Sequence, residues 1–121
     1  MMPQSIDVKP VTRDRILRRQ QDFERVLFRG RRLKQGPLSL YLAPGAEAVG
    51  RVAFIATGRF RSAVMRNRVR RRLREVFRTS RAAFPQNQDL ILRGDAGAAA
   101  LEFAEFRSEI LSLAALATGD K

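Results

Sequence analysis

The chain has 121 residues, of which 45% are hydrophobic, so it is long enough for one domain with a hydrophobic core. It contains no histidine and no cysteine, which excludes imidazole or thiolate catalysis, disulfide bonds and the usual zinc sites. The net charge of +12 indicates a polyanionic partner.

The first stretch, residues 1–12, contains Pro3 and Pro10 and has little periodicity. We therefore expect a flexible leader, followed by a single domain at 13–118 and a short tail at 119–121. Apolar positions at helical spacing predict a helix over about 20–29, approached from Asp14, and Gly30 suits its C-terminal cap. The stripe consists of Ile16, Gln20, Phe23 and Leu27, with Leu17 and Val26 beside it.

Two strands are predicted after the turn at Gly36-Pro37. LSLYLA (38–43) ends at Pro44-Gly45, and RVAFIAT (51–57) ends at Gly58. A short strand over about 31–34 is more weakly indicated. Because short connections usually join strands that are neighbours in space, we expect an antiparallel meander.

The next segment predicts a helix with two unlike sides. Ser62 suits its N-cap, and an apolar stripe runs from Met65 to about Ala83. The stripe should pack on the protein, and the remaining circumference is a cationic surface. The stripe contains Met65, Val69, Leu73, Val76 and Phe77. On a helical wheel Asn67, Arg70, Arg71, Arg74 and Arg78 point away from it, and Arg66, Arg68 and Arg72 flank it.

The last third of the chain predicts a strand and an acidic helix. DLILR (89–93) follows Pro85 and is closed by Gly94. The helix has a stripe of Phe103, Phe106, Ile110, Leu113, Ala114 and Ala117, with Glu102, Glu105 and Glu109 off it. Because of those acids we do not expect it to bind nucleic acid. The phenylalanines assigned to the core are Phe54, Phe77, Phe84, Phe103 and Phe106.

The sequence offers no motif for catalysis. It has no GxxxxGK[ST] or GxGxxG loop, and its carboxylates form no recognised motif. We therefore predict no catalytic residue, no metal site, no cofactor bound by the protein and no small-molecule substrate, although carboxylate–magnesium chemistry stays open. No apolar run approaches the roughly 20 residues that cross a bilayer. We expect a cytoplasmic protein that does not bind membranes.

The distribution of charge favours RNA as the partner. Residues 57–81 contain ten arginines against Glu75 alone, whereas residues 82–121 contain three basic and six acidic groups. An arginine-rich helix can meet several phosphates at once, and counterion release adds to its affinity. Asn67 could add a hydrogen bond to a base or a 2′-hydroxyl. The alternative, a solvated basic face without a dedicated partner, fits so one-sided a segment poorly.

Phe23 and Tyr41 allow a second RNA-binding surface. Aromatic residues on a helix and on an adjoining strand can line a groove in which single-stranded bases stack, at about 1–3 kcal/mol per base. Spacing alone favours a core role for Phe23, since it lies on its helix's apolar stripe, and leaves both roles open for Tyr41.

Three motifs together resemble one protein family. AVMRNRVRRRLREVFR (63–78) resembles the arginine-rich signature of the bacterial ribonuclease P protein subunit, A-V-x-R-N-R-x-(K/R)-R-x-x-R. LRRQQDFERVLFRG (17–30) resembles that family's first helix, with the D-F-x-x-V-x-x-x-G spacing intact. RVAFIAT, LSLYL and DLILR stand where its strands are expected, so the resemblance covers about residues 15–115.

The resemblance implies a single-domain α/β sandwich of the α+β class, in the order α-β-β-β-α-β-α. Its sheet would have about four strands, mostly antiparallel, with a left-handed crossover into a parallel pair. It also implies a subunit that binds ribonuclease P RNA and the 5′ leader of precursor tRNA, while the RNA subunit performs the magnesium-dependent hydrolysis and the protein alone has no activity. The implied contacts to the catalytic RNA are Arg59, Arg66, Asn67, Arg68, Arg70, Arg71 and Arg74, and those to the leader cleft are Phe23, Leu27 and Tyr41.

The chain departs from the family pattern at two places. Gly58-Arg59-Phe60-Arg61-Ser62 stands where the family has K-K-x-G, and Leu27 stands where an aromatic residue is common. The second difference predicts weaker stacking on that side of the cleft.

Two other functions compete with the one that the resemblance implies. A ribosome-associated protein could pack ribosomal RNA with the same helix, and co-sedimentation with ribosomal subunits would distinguish it. A membrane-surface helix is disfavoured because buried strand patterns flank the segment.

Overall fold

A computed structural model describes residues 16–17, 19–45 and 50–119. The predicted leader at 1–12, the approach at Asp14 and the last two residues of the predicted tail lie outside the described residues. The elements, in chain order, are α1 (Gln20–Arg29), β1 (Arg31–Gln35), β2 (Leu38–Pro44), β3 (Val52–Ala56), α2 (Ala63–Thr79), β4 (Gln88–Gly94) and α3 (Phe103–Gly119). Short 3₁₀ helices at Arg81–Ala83 and Ala96–Ala100 lie on either side of β4. This order confirms the expected α-β-β-β-α-β-α arrangement.

The four strands form one mixed sheet in the order β1-β2-β4-β3. β1 pairs with β2 and β2 with β4 in antiparallel fashion, whereas β3 and β4 are parallel. The predicted meander is therefore wrong after β2, because β4 lies between β2 and β3. Leu90, Ile91 and Leu92 are all buried, as a central strand covered on both faces requires.

Each face of the sheet is covered by helices, which makes the molecule a sandwich. Alternating residues of β2 point in opposite directions: Leu40 joins the larger core with α2 and α3, and Tyr41 joins a smaller one with α1. In β4, Leu92 and Ile91 are divided in the same way. One face therefore supports the arginine-rich helix, and the other supports the first helix.

Gly30 ends α1 as predicted, but for a different physical reason. Its φ of −85° is open to any residue, so the left-handed cap that favours glycine is not formed. A Cβ on Gly30 would instead lie 2.4 Å from the carbonyl oxygen of Leu42 and 2.6 Å from that of Val26. The missing side chain lets α1 turn into β1 directly against the neighbouring strand.

The arginine-rich helix begins as predicted and ends earlier. The Ser62 side chain accepts a hydrogen bond from the Met65 N–H at 3.3 Å, which confirms the N-cap. The helix stops at Thr79 and does not continue to Ala83, because Ser80 leaves the helical region and a 3₁₀ turn follows. Within the helix the predicted stripe is confirmed, with Val69, Leu73 and Val76 fully buried.

The assignment of Phe103 to the core is wrong. Its side chain is 39% exposed at the start of α3, and the Arg72 guanidinium lies 5.8 Å from its ring centre. Phe84 and Phe106 are buried as predicted, and Phe54 and Phe77 are half-buried against the core with their rings 5.8 Å apart. Phe103 is the first residue of α3, and the helical wheel gives no information on how far the core extends toward that end.

Candidate nucleic-acid interface

The outer side of α2 carries the predicted cationic surface. Arg68 and Arg71 are exposed and make no hydrogen bond or ion pair with any other residue that the structure describes. Arg70 donates to the Asn67 side-chain oxygen at 3.3 Å, and the Arg74 guanidinium lies 5.8 Å from the Phe54 ring centre. A shallow depression of about 290 Å³ on this surface is lined by Asn67, Arg70, Arg71 and Arg74.

The helix places its single acid where it does not neutralise that surface. Glu75 pairs with Arg78, with Oε2 and Nη2 2.6 Å apart. This hydrogen bond raises the pKa of the Arg78 guanidinium. Arg78, which the wheel put among the outward cations, is thus partly compensated within the helix, and the uncompensated charge lies nearer the N-terminal end.

Two of the arginines beside the apolar stripe are turned toward the protein. Arg66 donates from Nη1 to the Ala56 carbonyl oxygen at 3.0 Å and from Nη2 to that of Gly58 at 3.1 Å. Arg72 donates from Nη1 to the Leu101 carbonyl oxygen at 2.8 Å. Arg59, by contrast, is exposed on the loop before α2. Among the predicted RNA-binding arginines, Arg66 is therefore bonded to the protein. The exposed ones are Arg59, Arg68, Arg70, Arg71 and Arg74.

The structure brings Phe23, Leu27 and Tyr41 into one cluster, on the sheet face opposite α2 and α3. Phe23 and Leu27 are half-buried on α1, and Tyr41 is 6% exposed on β2. Ile55 of β3 packs at the same cluster and is also half-buried. Phe23 thus contacts the small core and keeps part of its surface open to solvent, so the packing role and the stacking role are compatible.

Sequence reasoning missed the polar residues around Tyr41. Arg93 of β4 donates from Nη1 to the Tyr41 hydroxyl at 2.7 Å and from Nε to the Thr57 hydroxyl at 3.0 Å. The Arg32 guanidinium of β1 lies 5.9 Å from the Tyr41 ring centre. Alternation along β4 places Arg93 on the same face as Ile91, but only the strand order reveals that this face meets Tyr41.

A partly buried ion pair joins α1 to the sheet. Arg25 Nη2 lies 2.5 Å from Oδ2 of Asp89, a residue that is 3% exposed, and 3.3 Å from Oδ1 of Asp22. The hydrogen bond with Asp89 raises the pKa of the Arg25 guanidinium. Asp89 also accepts the Arg51 backbone N–H at 2.9 Å. Asp22 and Asp89 are therefore both paired with Arg25, whereas Glu24 on the same helix is exposed.

Residues 16–17, 19–45 and 50–119 contain no group of three or more acidic side chains placed to hold a metal ion. None of the helices in this part of the chain combines the length and the apolar character needed to cross a membrane.

Known structures share this fold. The chain superposes on a ribonuclease P protein from Staphylococcus aureus with a TM-score of 0.76 and 18% identity, covering 86% of this chain and 95% of that one. The ribonuclease P protein from Thermotoga maritima gives a TM-score of 0.73 and 21% identity, covering 83% and 94% of the two chains. At these identities the likeness concerns the fold.

Sequence relatives give the family. A ribonuclease P protein component from Acidothermus cellulolyticus is 37% identical over 99 residues, which are 77% of this chain and 79% of that protein. One from Thermobifida fusca is 33% identical over 102 residues, covering 78% and 69% of the two. The family model for ribonuclease P matches residues 11–117. With nearly the whole domain matched and the fold shared, the chain belongs to the bacterial ribonuclease P protein family.

Proposed function

We propose that the chain, as the protein subunit of ribonuclease P, binds the catalytic RNA through α2 and the 5′ leader of precursor tRNA through the cleft between α1 and the sheet. Its family is the protein component of the enzyme that matures the 5′ ends of tRNA together with an RNA subunit. The finer assignment concerns which surface meets which RNA.

The observation that carries the proposal is the uncompensated charge on α2. Arg68 and Arg71 are exposed without a partner among the described residues, and Arg70 and Arg74 border the same depression. Guanidinium groups spaced along a rigid helix suit the phosphates of a folded RNA, where shape and backbone contacts dominate. Asn67 adds an amide to this set, and Arg59 extends it onto the preceding loop.

The cleft has the features that a single strand requires. Phe23 and Leu27 provide half-buried aromatic and apolar surface, and Tyr41 lies buried beneath them. Arg32 and Arg93 provide positive charge on the same face. Stacking on aromatic rings beside a basic groove binds single strands without reading their sequence. Binding that does not read the sequence suits 5′ leaders, because the sequence before the mature 5′ end differs from one tRNA gene to another.

In this proposal the protein contributes no catalytic group. Mg²⁺, bound with the RNA subunit, would supply the activated water for hydrolysis, and the chain's own residues bind and orient the two RNAs. Asp22 and Asp89 are occupied by Arg25, which agrees with a binding role. We place this activity in the cytoplasm, in line with the absence of cysteine.

The leader assignment is tested with substitutions at Phe23 in the reconstituted holoenzyme. Phe23→Ala and Phe23→Leu should lower the affinity for leader-bearing precursor tRNA by roughly five- to a hundredfold, as expected for loss of about 1–3 kcal/mol of stacking. Binding of mature tRNA should not change. Equilibrium binding of the two tRNAs to each holoenzyme provides the measurement.

Phe28→Ala provides the matched control. Phe28 lies on the same helix but points outward with 80% of its side chain exposed, so its removal should leave both affinities unchanged. Phe23→Leu retains most of the buried volume, which separates stacking from stability. Equal losses for precursor and mature tRNA would mean that Phe23 has only a structural role.

A further inference from the structure

Two arginines hold the end of β3 from opposite sides of the sheet. From the cleft, Arg93 Nε donates to the Thr57 hydroxyl at 3.0 Å. From α2, Arg66 donates to the carbonyl oxygens of Ala56 at 3.0 Å and Gly58 at 3.1 Å. The three-residue segment 56–58 is therefore fixed both by the cleft and by the arginine-rich helix.

The contacts of Arg66 depend on the shape of its guanidinium group. The planar fork reaches two carbonyl oxygens separated by one residue, which a single ammonium group cannot bridge with the same geometry. Its carbon Cζ lies 4.9 Å from the Phe60 ring centre. Gly58, whose carbonyl oxygen accepts one of the two Arg66 hydrogen bonds, has a φ of +95°, a conformation that only glycine adopts readily. The loop before α2 thus has an unusual path that Arg66 stabilises.

The hydrogen bonds continue into the leader cleft. Arg93 donates from Nη1 to the Tyr41 hydroxyl at 2.7 Å while its Nε bonds Thr57. A connected path therefore runs from Tyr41 through Arg93 and segment 56–58 to Arg66. Arg71 lies on the same helix and has no such contact with a described residue.

We infer that Arg66 is a positioning residue that sets α2 relative to the leader cleft, and that it does not serve as a phosphate contact. This inference rests on the proposed function of the two surfaces. When two RNAs are joined in one complex, each increases the affinity of the protein for the other, and this increase is largest when the protein holds the two sites at the matching separation. Loosening segment 56–58 should therefore reduce the extra affinity for leader-bearing tRNA and leave the phosphate contacts of α2 in place.

The experiment compares Arg66→Lys, Arg66→Gln and Arg71→Gln in the reconstituted holoenzyme. The first measurement is the affinity ratio of leader-bearing precursor tRNA to mature tRNA. The second is the salt dependence of binding between the protein and the catalytic RNA. Both Arg66 variants should lower the affinity ratio roughly fivefold with an unchanged salt slope. Arg71→Gln, which removes the same charge, should reduce the slope by about 0.7–0.9 and keep the ratio.

A second variant keeps the inference testable if Arg66 substitutions impair folding. Thr57→Val removes the acceptor of Arg93 Nε without changing α2 or any charge, and it should lower the affinity ratio in the same way. An unchanged ratio in Thr57→Val would overturn the inference. So would Arg66→Lys behaving as wild type while Arg66→Gln loses salt slope, since that is the pattern of a phosphate contact.

The wild-type holoenzyme separates this inference from the proposed function. If it shows no preference for leader-bearing tRNA, the assignment of the cleft fails. If it shows the preference and the Arg66 and Thr57 variants retain it, the cleft assignment stands and only the positioning role of Arg66 is wrong.

Discussion

At the scale of single residues, several side chains are defined by partners far away in the sequence. Asp89 is 3% exposed and meets Arg25, which is 64 positions earlier, and the Arg51 N–H. Arg25 also donates to the Pro44 carbonyl oxygen at 2.7 Å. These contacts join α1 to the end of β2 and the start of β4. The Asp89 carboxylate therefore helps to orient the helix that carries Phe23.

Asp89→Ala should lower the free energy of unfolding by about 2–4 kcal/mol. The substitution leaves a guanidinium and a backbone N–H without their acceptor. Arg25 keeps 29% of its side chain exposed, so solvent compensates part of the loss. Urea denaturation measures the change. Glu24→Ala, which removes an exposed acid from the same helix, is the control and should stay within about 0.5 kcal/mol of wild type. Equal midpoints for both variants would contradict the role of Asp89.

Sequence patterns predict on which side of an element such a residue lies better than they predict which residues it contacts. The helical wheel put Arg66 beside the apolar stripe, but its two carbonyl acceptors depend on the path of the loop at Gly58. Arg93 received no role, because its contact with Tyr41 requires β2 and β4 to be neighbours. Phe23 and Tyr41 are candidates for stacking because aromatic residues on a helix and an adjoining strand can line a groove, although spacing alone favours a core role for Phe23.

At the scale of elements, α2 combines an anchored side and a solvent-facing side in 17 residues. Val69, Leu73 and Val76 are buried, and the outward arginines are held on a rigid rod. Each phosphate that such a helix neutralises releases counterions, which makes binding depend on salt concentration.

Replacing two outward arginines tests this surface directly. Arg68→Gln combined with Arg71→Gln should reduce the slope of log affinity against log salt by about 1.4–1.8, or roughly two phosphate contacts. The measurement is binding of catalytic RNA by the protein over a range of salt concentrations. Arg107→Gln on the acidic helix α3 removes an exposed charge that donates to the Ser80 hydroxyl at 3.3 Å, beyond the C-terminal end of α2, and it should leave the slope unchanged. A double variant with the wild-type slope would show that these arginines do not meet phosphate.

Local sequence patterns predicted whether a segment is a helix or a strand, but they did not predict the order of the strands in the sheet. Helical stripes and alternating strands predicted α1, α2, α3 and the four strands, including the weakly indicated β1. The meander failed because strand pairing depends on which faces are buried across the whole sheet, and β4, apolar on both faces, takes the central place. The early end of α2 at Thr79 follows from the turn at Ser80, for which the apolar stripe gives no signal.

At the scale of the whole molecule, the two proposed binding surfaces lie on opposite faces of one sheet. The larger core supports α2, and the smaller one lies under α1, where we propose the leader cleft. The net charge of +12 favours association with RNA over the isolated state, since the polyanion relieves repulsion within the protein. The resemblance to a family supplied the parallel strand pair and the function, which composition and periodicity alone did not provide.

Stability and RNA affinity should be nearly constant between about pH 6 and about pH 9. The chain has no histidine and no cysteine, so no side chain has its ordinary pKa in that range. The pKa of Arg25 is raised by Asp89, so the pair's contribution is fully present below the ordinary arginine value and is lost only at still higher pH. Denaturation and binding at several pH values provide the test. A midpoint that shifts steadily across this range would contradict it.

The most direct test of the central claim, that this chain serves a catalytic RNA through its basic helix, is reconstitution with a bacterial ribonuclease P RNA. Cleavage of precursor tRNA is measured at low magnesium concentration with the RNA alone, the protein alone and both together. We predict that the protein alone is inactive and that its addition strongly stimulates cleavage by the RNA, less so when Arg68 and Arg71 are replaced. Absence of stimulation, or cleavage by the protein alone, would contradict the account.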